Sequence, residues 1–505
     1  MLFSSHEFVF IFLPAVVALY AITRRLRGEV PTEVVLVFAS AIFYAYFRID
    51  YAFVLFASIS TNFFIGNRLQ RDPSKPLLII GIAANLVLLG YFKYYDFFIS
   101  QINTVLGSDL PFLRLVLPLG ISFHTFQQIA YLIDCRQGRL NEHSFLRYIL
   151  FVTFFPQLIA GPIVHHAEMM PQFARKRDER FLENLAIGLT VFSIGLFKKT
   201  VIADSFDVYS STFDKVAQGY PITLIEAWST AIAYTFQIYF DFSAYSDMAI
   251  GLARIFGIVM PVNFLSPYKA VNIVEFWRRW HITLSRWLRD YLYIPLGGNR
   301  KGSARRYANV MITMLLGGLW HGAGWTFVLW GGLHGAYLVI YHAWQSVTRG
   351  RITIWRPIAV LVTFLAVLIA WVPFRAPNLS TSIAMYKAML GLNGFALPAA
   401  YAERLAPIQG VLNVLGLRYV DHDILFNGTS QAAYYAVMLA FVWFLPNVVD
   451  IFQSINPALV PKSYKPISVS WPWRQRLSWA FAAGVVACLA VAGIDRIVEF
   501  IYFQF

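Results

Sequence analysis

The chain has 505 residues, of which 58% are hydrophobic, 17% aromatic and only 13% charged, with a mean hydropathy of +0.57. Soluble globular chains carry about a quarter charged residues, so a water-soluble enzyme, a disordered scaffold and a secreted disulfide module are excluded, and a polytopic membrane protein remains. The net charge of +14, from 41 Lys and Arg against 27 Asp and Glu, then reads as basic cytoplasmic loops rather than a nucleic-acid surface.

The first apolar stretch, Phe8–Ile22, is followed by Arg24, Arg25 and Arg27. A cleaved signal peptide carries its positive charge before the apolar run; here it comes after, which predicts an uncleaved span with its N-terminus outside. Spans at Val34–Phe47 and Ala52–Ile65 return to a second basic loop, Asn67–Lys75, and the two loops agree on one orientation. Further apolar segments run at Leu77–Tyr91, Leu115–Ile133, Tyr148–Val164, Leu185–Phe197, Leu224–Phe240, Ala308–Leu319, Trp325–Tyr341, Ile358–Val372, Tyr434–Val448 and Leu477–Ile494. Several are short for a spanning helix, and Leu117-Pro-Leu-Gly120, Phe155-Pro156 and Ala160-Gly-Pro162 interrupt others. Such breaks are tolerated at membrane depth only inside protein or along a wet cavity. The expected fold is therefore all-α and polytopic: about 11 transmembrane helices with re-entrant and interfacial pieces around a central cavity. No internal repeat is visible. Ala376–Gln431 is less apolar, with Asp421, His422 and Asp423, so residues 1–375 read as a membrane core and 376–505 as an extension with a polar loop and two further spans. Cys135 and Cys488 lie far apart, and His124, His165 and His166 do not recur with carboxylates at ligand spacing; no metal site is expected.

Three stretches carry possible chemistry. Asp241 and Asp247 sit in Tyr239-Phe-Asp-Phe-Ser-Ala-Tyr-Ser-Asp247, and a charge so deep needs a partner or water. They are either structural acids satisfied by Arg or helix N-termini, or catalytic groups. Next, Glu275–Pro295 reads as one basic amphipathic helix lying in the membrane interface. Trp277, Trp280, His281, Leu284, Trp287, Leu288 and Tyr291 share one face, and Arg278, Arg279, Arg286, Arg289 and Asp290 the other. It is either a plain anchor or a basic mouth for a phosphorylated donor. Third, seven glycines in the 19 residues Gly317–Gly335 surround His321 and end just after His334, allowing close backbone approach of a helix or a thin ligand. An intramembrane imidazole is a candidate general base, although a structural, hydrogen-bonded role is equally open from the residues alone.

Phe276-Trp-Arg-Arg-Trp-His281, Arg289-Asp-Tyr-Leu-Tyr-Ile-Pro-Leu-Gly-Gly-Asn-Arg300 and Gly318-Leu-Trp-His321-Gly-Ala resemble signatures of the membrane-bound O-acyltransferase (MBOAT) family. Phe155-Pro-Gln-Leu-Ile-Ala-Gly-Pro162, the Asp241–Asp247 motif and Trp371-Val-Pro-Phe-Arg375-Ala look like its other signatures, with Pro373 a departure from the bulky apolar residue common there. Within the family the chain looks most like the bacterial branch that includes the alginate O-acetylation membrane subunit. The resemblance implies a catalytic His321 deep in a tunnel reached from the cytoplasm, a second motif histidine at His281, and His334 in a less diagnostic stretch. Trp320, Trp325 and amides near Gly322 are then candidates for oxyanion donors.

It also implies an inner-membrane enzyme that takes an acyl group, expected to be acetyl, from acetyl-CoA or another activated donor as substrate, with no bound cofactor. The group would be passed across the membrane for O-acetylation of an envelope polysaccharide. Alginate is expected, with peptidoglycan, cellulose or another exopolysaccharide as alternatives, and an envelope SGNH-hydrolase-like partner would complete the transfer. The competing readings are a transporter of an acyl carrier and a scaffold for envelope enzymes. The missing inverted repeat speaks against the first, and the second leaves the buried histidines without a role.

Overall fold

The computed structural model describes residues 1–25, 32–140, 143–174, 180–414, 416–420, 426, 428–494 and 500–501. Arg27, Asp421, His422 and Asp423 lie outside the described residues. Among the described residues the regular structure is helical, apart from a two-stranded parallel ribbon, Phe395–Pro398 with Leu417–Val420. Among the described residues, five continuous helices are long and apolar enough to cross a membrane: Glu7–Arg25, Ile49–Arg71, Lys75–Leu106, Phe181–Ala217 and Arg356–Arg375. Thr32–Ala45 and Leu477–Ala492 are shorter apolar helices.

The centre is the helix Leu224–Ile255, 32 residues long and buried over most of its length. It starts where Thr223 and Glu226 cap each other, the Thr223 N–H donating to Glu226 Oε2 at 2.8 Å. Phe181–Phe197 packs along it so closely that a Cβ on Gly251 would stand 2.6 Å from the Phe192 nitrogen. The C-terminal part joins this core. The Thr200 hydroxyl donates to the Ala490 carbonyl at 2.8 Å, and the Ile501 N–H donates to Asp241 Oδ2 at 2.9 Å.

The breaks expected from Pro and Gly are present, and the one at Phe155–Pro162 is buried. Phe154–Val164 leaves the helical path with every residue buried, and two of its backbone amides find side-chain partners in protein, as membrane depth requires. The Phe155 N–H donates to Ser40 Oγ at 3.1 Å and the Ile163 N–H to Thr283 Oγ1 at 2.9 Å. Residues 107–120 are likewise non-helical up to Gly120, whose φ of 70° starts the helix Ile121–Arg136.

Gly302–His321 and Trp325–Thr348 form a tight antiparallel pair. A Cβ on Gly318 would collide with the Phe327 carbonyl and stand 3.1 Å from Gly331 Cα. Both obstacles are backbone, so nothing can swing aside. Gly318→Ala is therefore expected to cost about 1–3 kcal/mol, the range for overpacking, read as a lower melting temperature of the detergent-purified chain. An unchanged melting temperature would show that the two helices can part without penalty.

Candidate active site

His321 ends the helix Gly302–His321 and faces a cavity of about 550 Å³. The cavity wall is built from Lys93, Ser122, Trp320 and the stretch Val116–Phe123, and its mouth from Met1, Leu2, Ser5, Glu7, Tyr46 and Phe47. Pro111, Pro118 and Gly120 keep residues 107–120 from coiling, so this stretch lines the space instead of filling it. The imidazole is packed by Trp320, Trp330 and Phe374 at ring distances of 5.0, 5.0 and 5.2 Å. Phe374 comes from the Trp371–Arg375 motif, and Arg375 leaves that motif to pair with Asp214 at 2.7 Å.

Three helices fix which way the cavity opens. Ile49–Arg71 begins beside the mouth and ends at Arg68 and Arg71. Ile121–Arg136 begins at the cavity wall and ends where Arg136 Nε donates to the Pro73 carbonyl at 3.2 Å. Gly302–His321 climbs from the basic loop at Arg300–Arg306 to His321 over 20 residues, about 30 Å of helix. The cavity thus opens at the end of the bundle away from the basic loops, whereas the resemblance led us to expect access to His321 from the basic side.

His281 is fully buried next to His321, the two ring centres 6.3 Å apart. The amphipathic helix expected over Glu275–Pro295 is not continuous. It is two short helices, Ile273–Arg279 and Ile282–Leu288, broken at His281, which takes φ 43° and ψ 53°. Left-handed backbone at a residue other than glycine persists only where the surroundings hold it, and here Asn263 does so. Its carbonyl accepts from the Ile282 N–H at 3.0 Å, and its side-chain oxygen accepts from Thr283 N and Oγ1 at 3.3 and 3.0 Å. A backbone N–H can only donate, so that side-chain atom is the amide oxygen, and His281 Nδ1, 3.1 Å away, must be its donor. His281 is thereby held as the Nδ1–H tautomer.

The other expected site residues fall away from the cavity or are already engaged. Trp325 is 51% exposed and donates its indole N–H to Gln101 at 2.9 Å, and Trp320 donates its own to the Ser122 carbonyl at 3.4 Å. Both indole donors are thus committed, which argues against an oxyanion role. His334 is enclosed by Trp277, Trp330, Trp371 and Tyr337, with Trp330 between it and His321. Asp241 and Asp247 are structural in geometry. Lys199 Nζ bridges Asp204 and Asp241 at 2.7 and 2.8 Å, and Lys198 pairs with Asp247 at 2.7 Å. Of the four arginines on the expected basic face, Arg279 pairs with Glu275, Arg286 with Glu168 through both terminal nitrogens, and Arg289 with Asp290. Arg278 is exposed. Three of the four charges are neutralised locally, which weakens the case for a donor-attracting surface.

Lys93 is the residue that sequence reasoning missed. It lies in a π-helical turn, Gly90–Tyr94, lines the cavity, and reaches the helix end that carries His321. Its one signal was a cation in Tyr91-Phe-Lys93-Tyr-Tyr, at the edge of an apolar run.

Fold and site together define a polytopic membrane protein that presents an imidazole to a cavity at the end of a glycine-laced helix. Residues 112–376 match the membrane-bound O-acyltransferase family. The chain is 46% identical to the peptidoglycan O-acetyltransferase of Helicobacter pylori over 90% of its length and 91% of that protein's. It is 41% identical to the probable alginate O-acetylase AlgI of Pseudomonas aeruginosa, over 86% of its length and 85% of the relative's. A teichoic acid D-alanyltransferase from Streptococcus thermophilus is 32% identical over 45% of the chain and 57% of that protein. The chain belongs to the MBOAT family and is an O-acyltransferase.

Proposed function

We propose that the enzyme transfers an acetyl group from an activated cytoplasmic donor, acetyl-CoA or another acyl thioester, to hydroxyls of a cell-envelope polysaccharide beyond the inner membrane. The observation that carries this reading is the position of His321 at the inner end of a cavity that opens away from the basic loops. Lys and Arg near span ends mark the cytoplasmic side, so the cavity mouth faces the envelope. A hydroxyl, of the polymer or of an envelope partner of the SGNH-hydrolase type, gives its proton to His321 as its oxygen attacks the thioester carbonyl. The carbon–sulfur bond breaks, and the thiolate recovers that proton. His281, held as one tautomer by Asn263, backs His321 and keeps its ring in place.

The relatives that align over most of the chain carry two acceptors in their names. Alginate, expected from the resemblance, belongs to the relatives at 37–41% identity. Peptidoglycan belongs to the one at 46%, which favours it as a second acceptor to test. Deleting the gene and measuring alkali-released acetate from purified sacculi and from secreted polysaccharide separates them. Loss from one fraction names the acceptor, and full acetylation of both would overturn the proposal.

The orientation has its own test. Wild-type Cys488 is exposed and Cys135 buried, so the background is Cys488→Ala. In intact spheroplasts an impermeant maleimide is expected to label Phe47→Cys at the cavity mouth and to miss Ser303→Cys at the basic start of Gly302–His321. The reverse pattern would place the mouth in the cytoplasm.

A further inference from the structure

We propose that Lys93 is a positioning residue for His321. With Tyr94 it clamps the last turn of Gly302–His321 and so sets where the imidazole stands in the cavity; this rests on the reading of His321 as the base. Lys93 Nζ donates to the carbonyls of Trp320 at 2.7 Å and His321 at 3.0 Å, and to Ser122 Oγ at 3.3 Å. The Tyr94 hydroxyl donates to the Leu319 carbonyl at 2.8 Å. Two consecutive side chains therefore take three consecutive carbonyls.

These carbonyls are ones a helix cannot satisfy by itself, since its last four have no partner within it. The usual remedy is a left-handed glycine just past the end, which turns the following amides back onto them. Gly322 is instead extended, with φ −161° and ψ 151°, so the chain leaves the helix without capping it. A Cβ on Gly322 would run into the Phe327 ring, which holds that exit straight. The cap has to come from outside, and a cation suits a helix C-terminus, which carries about half a negative charge.

An ammonium has three N–H groups, and all three of Lys93's are engaged. Lys93 therefore acts on the reaction through the backbone of residue 321 rather than by gripping the substrate. The regular hydrogen-bond ladder of Lys75–Leu106 is disturbed at one place, the π turn Gly90–Tyr94 that carries both side chains. Such turns are frequent where a helix serves a site.

The test uses the full chain, with Lys93→Met, Lys93→Arg, Tyr94→Phe and His321→Ala compared in membranes given labelled acetyl-CoA and in cells scored for ester acetate per chain. A shift of about 1 Å in a catalytic group costs about a hundredfold, so Lys93→Met is expected to lower kcat by about that factor while the KM for acetyl-CoA stays unchanged. Arginine, still a cationic donor, should restore most of the rate, and Tyr94→Phe should lose less than methionine at 93. Wild-type kcat in Lys93→Met, or a loss confined to KM, would overturn the proposal. If Lys93→Met does not accumulate, full kcat in Tyr94→Phe would overturn it. An active His321→Ala would instead sink the reading of His321 as the base.

Discussion

His321→Ala is expected to abolish acetylation of the envelope polymer while the protein still inserts and accumulates. General-base catalysis is worth about a hundredfold to ten-thousandfold, and among the described residues no other that lines the cavity offers a second imidazole. The substitution spares the architecture because Lys93 grips the carbonyl of residue 321, not its ring, and alanine keeps that carbonyl. The ring itself borders open space on the cavity side and aromatic rings on the other, so removing it enlarges an existing void. His321→Gln is the stricter variant, since it retains hydrogen bonding but cannot take up a proton. Ester acetate per accumulated chain checks both. Normal acetylation by the glutamine variant would make His321 structural.

The position of His321 was legible because its signals are local: glycines on both sides, an intramembrane imidazole, and a motif read within a few residues. The breaks at Phe155-Pro156 and Gly120 were legible for the same reason, as Pro and Gly act on their own backbone. The break at His281 was not. Residues 275–291 have a clean helical period, and what interrupts it is the side chain of Asn263, 18 residues earlier in sequence. The same limit hid Lys93, whose acceptors are carbonyls 227 and 228 residues away. An amphipathic wheel likewise sorts arginines onto a face without showing that Glu168 waits opposite Arg286. For Asp241 and Asp247 both roles were open, and what points to the structural one is the pairing with Lys198 and Lys199, which arrive from a neighbouring helix.

That arrival leads to the largest expected effect on stability. Lys199 is the cation between two buried carboxylates, its side chain 4% exposed and those of Asp204 and Asp241 4% and 1%. Removing one partner of a buried ion pair costs about 3–5 kcal/mol, because the charge left behind has neither water nor counterion. Lys199→Met leaves two, with only the Ile501 N–H still donating to Asp241. It is therefore expected to collapse accumulation in the membrane. The neighbouring pair makes a graded control: Lys198 and Asp247 are each 15% exposed, water reaches them, and Lys198→Met should cost clearly less. The effect is one of stranded charge, so adding Asp204→Asn and Asp241→Asn to Lys199→Met should recover part of the lost protein, since neutral amides need no counterion. Quantitative immunoblotting of membranes, with melting curves of the purified chain, reads all three variants. If Lys199→Met accumulates and melts like wild type, the triad does not support the fold. If the triple variant is no better than the single one, the loss comes from packing rather than charge.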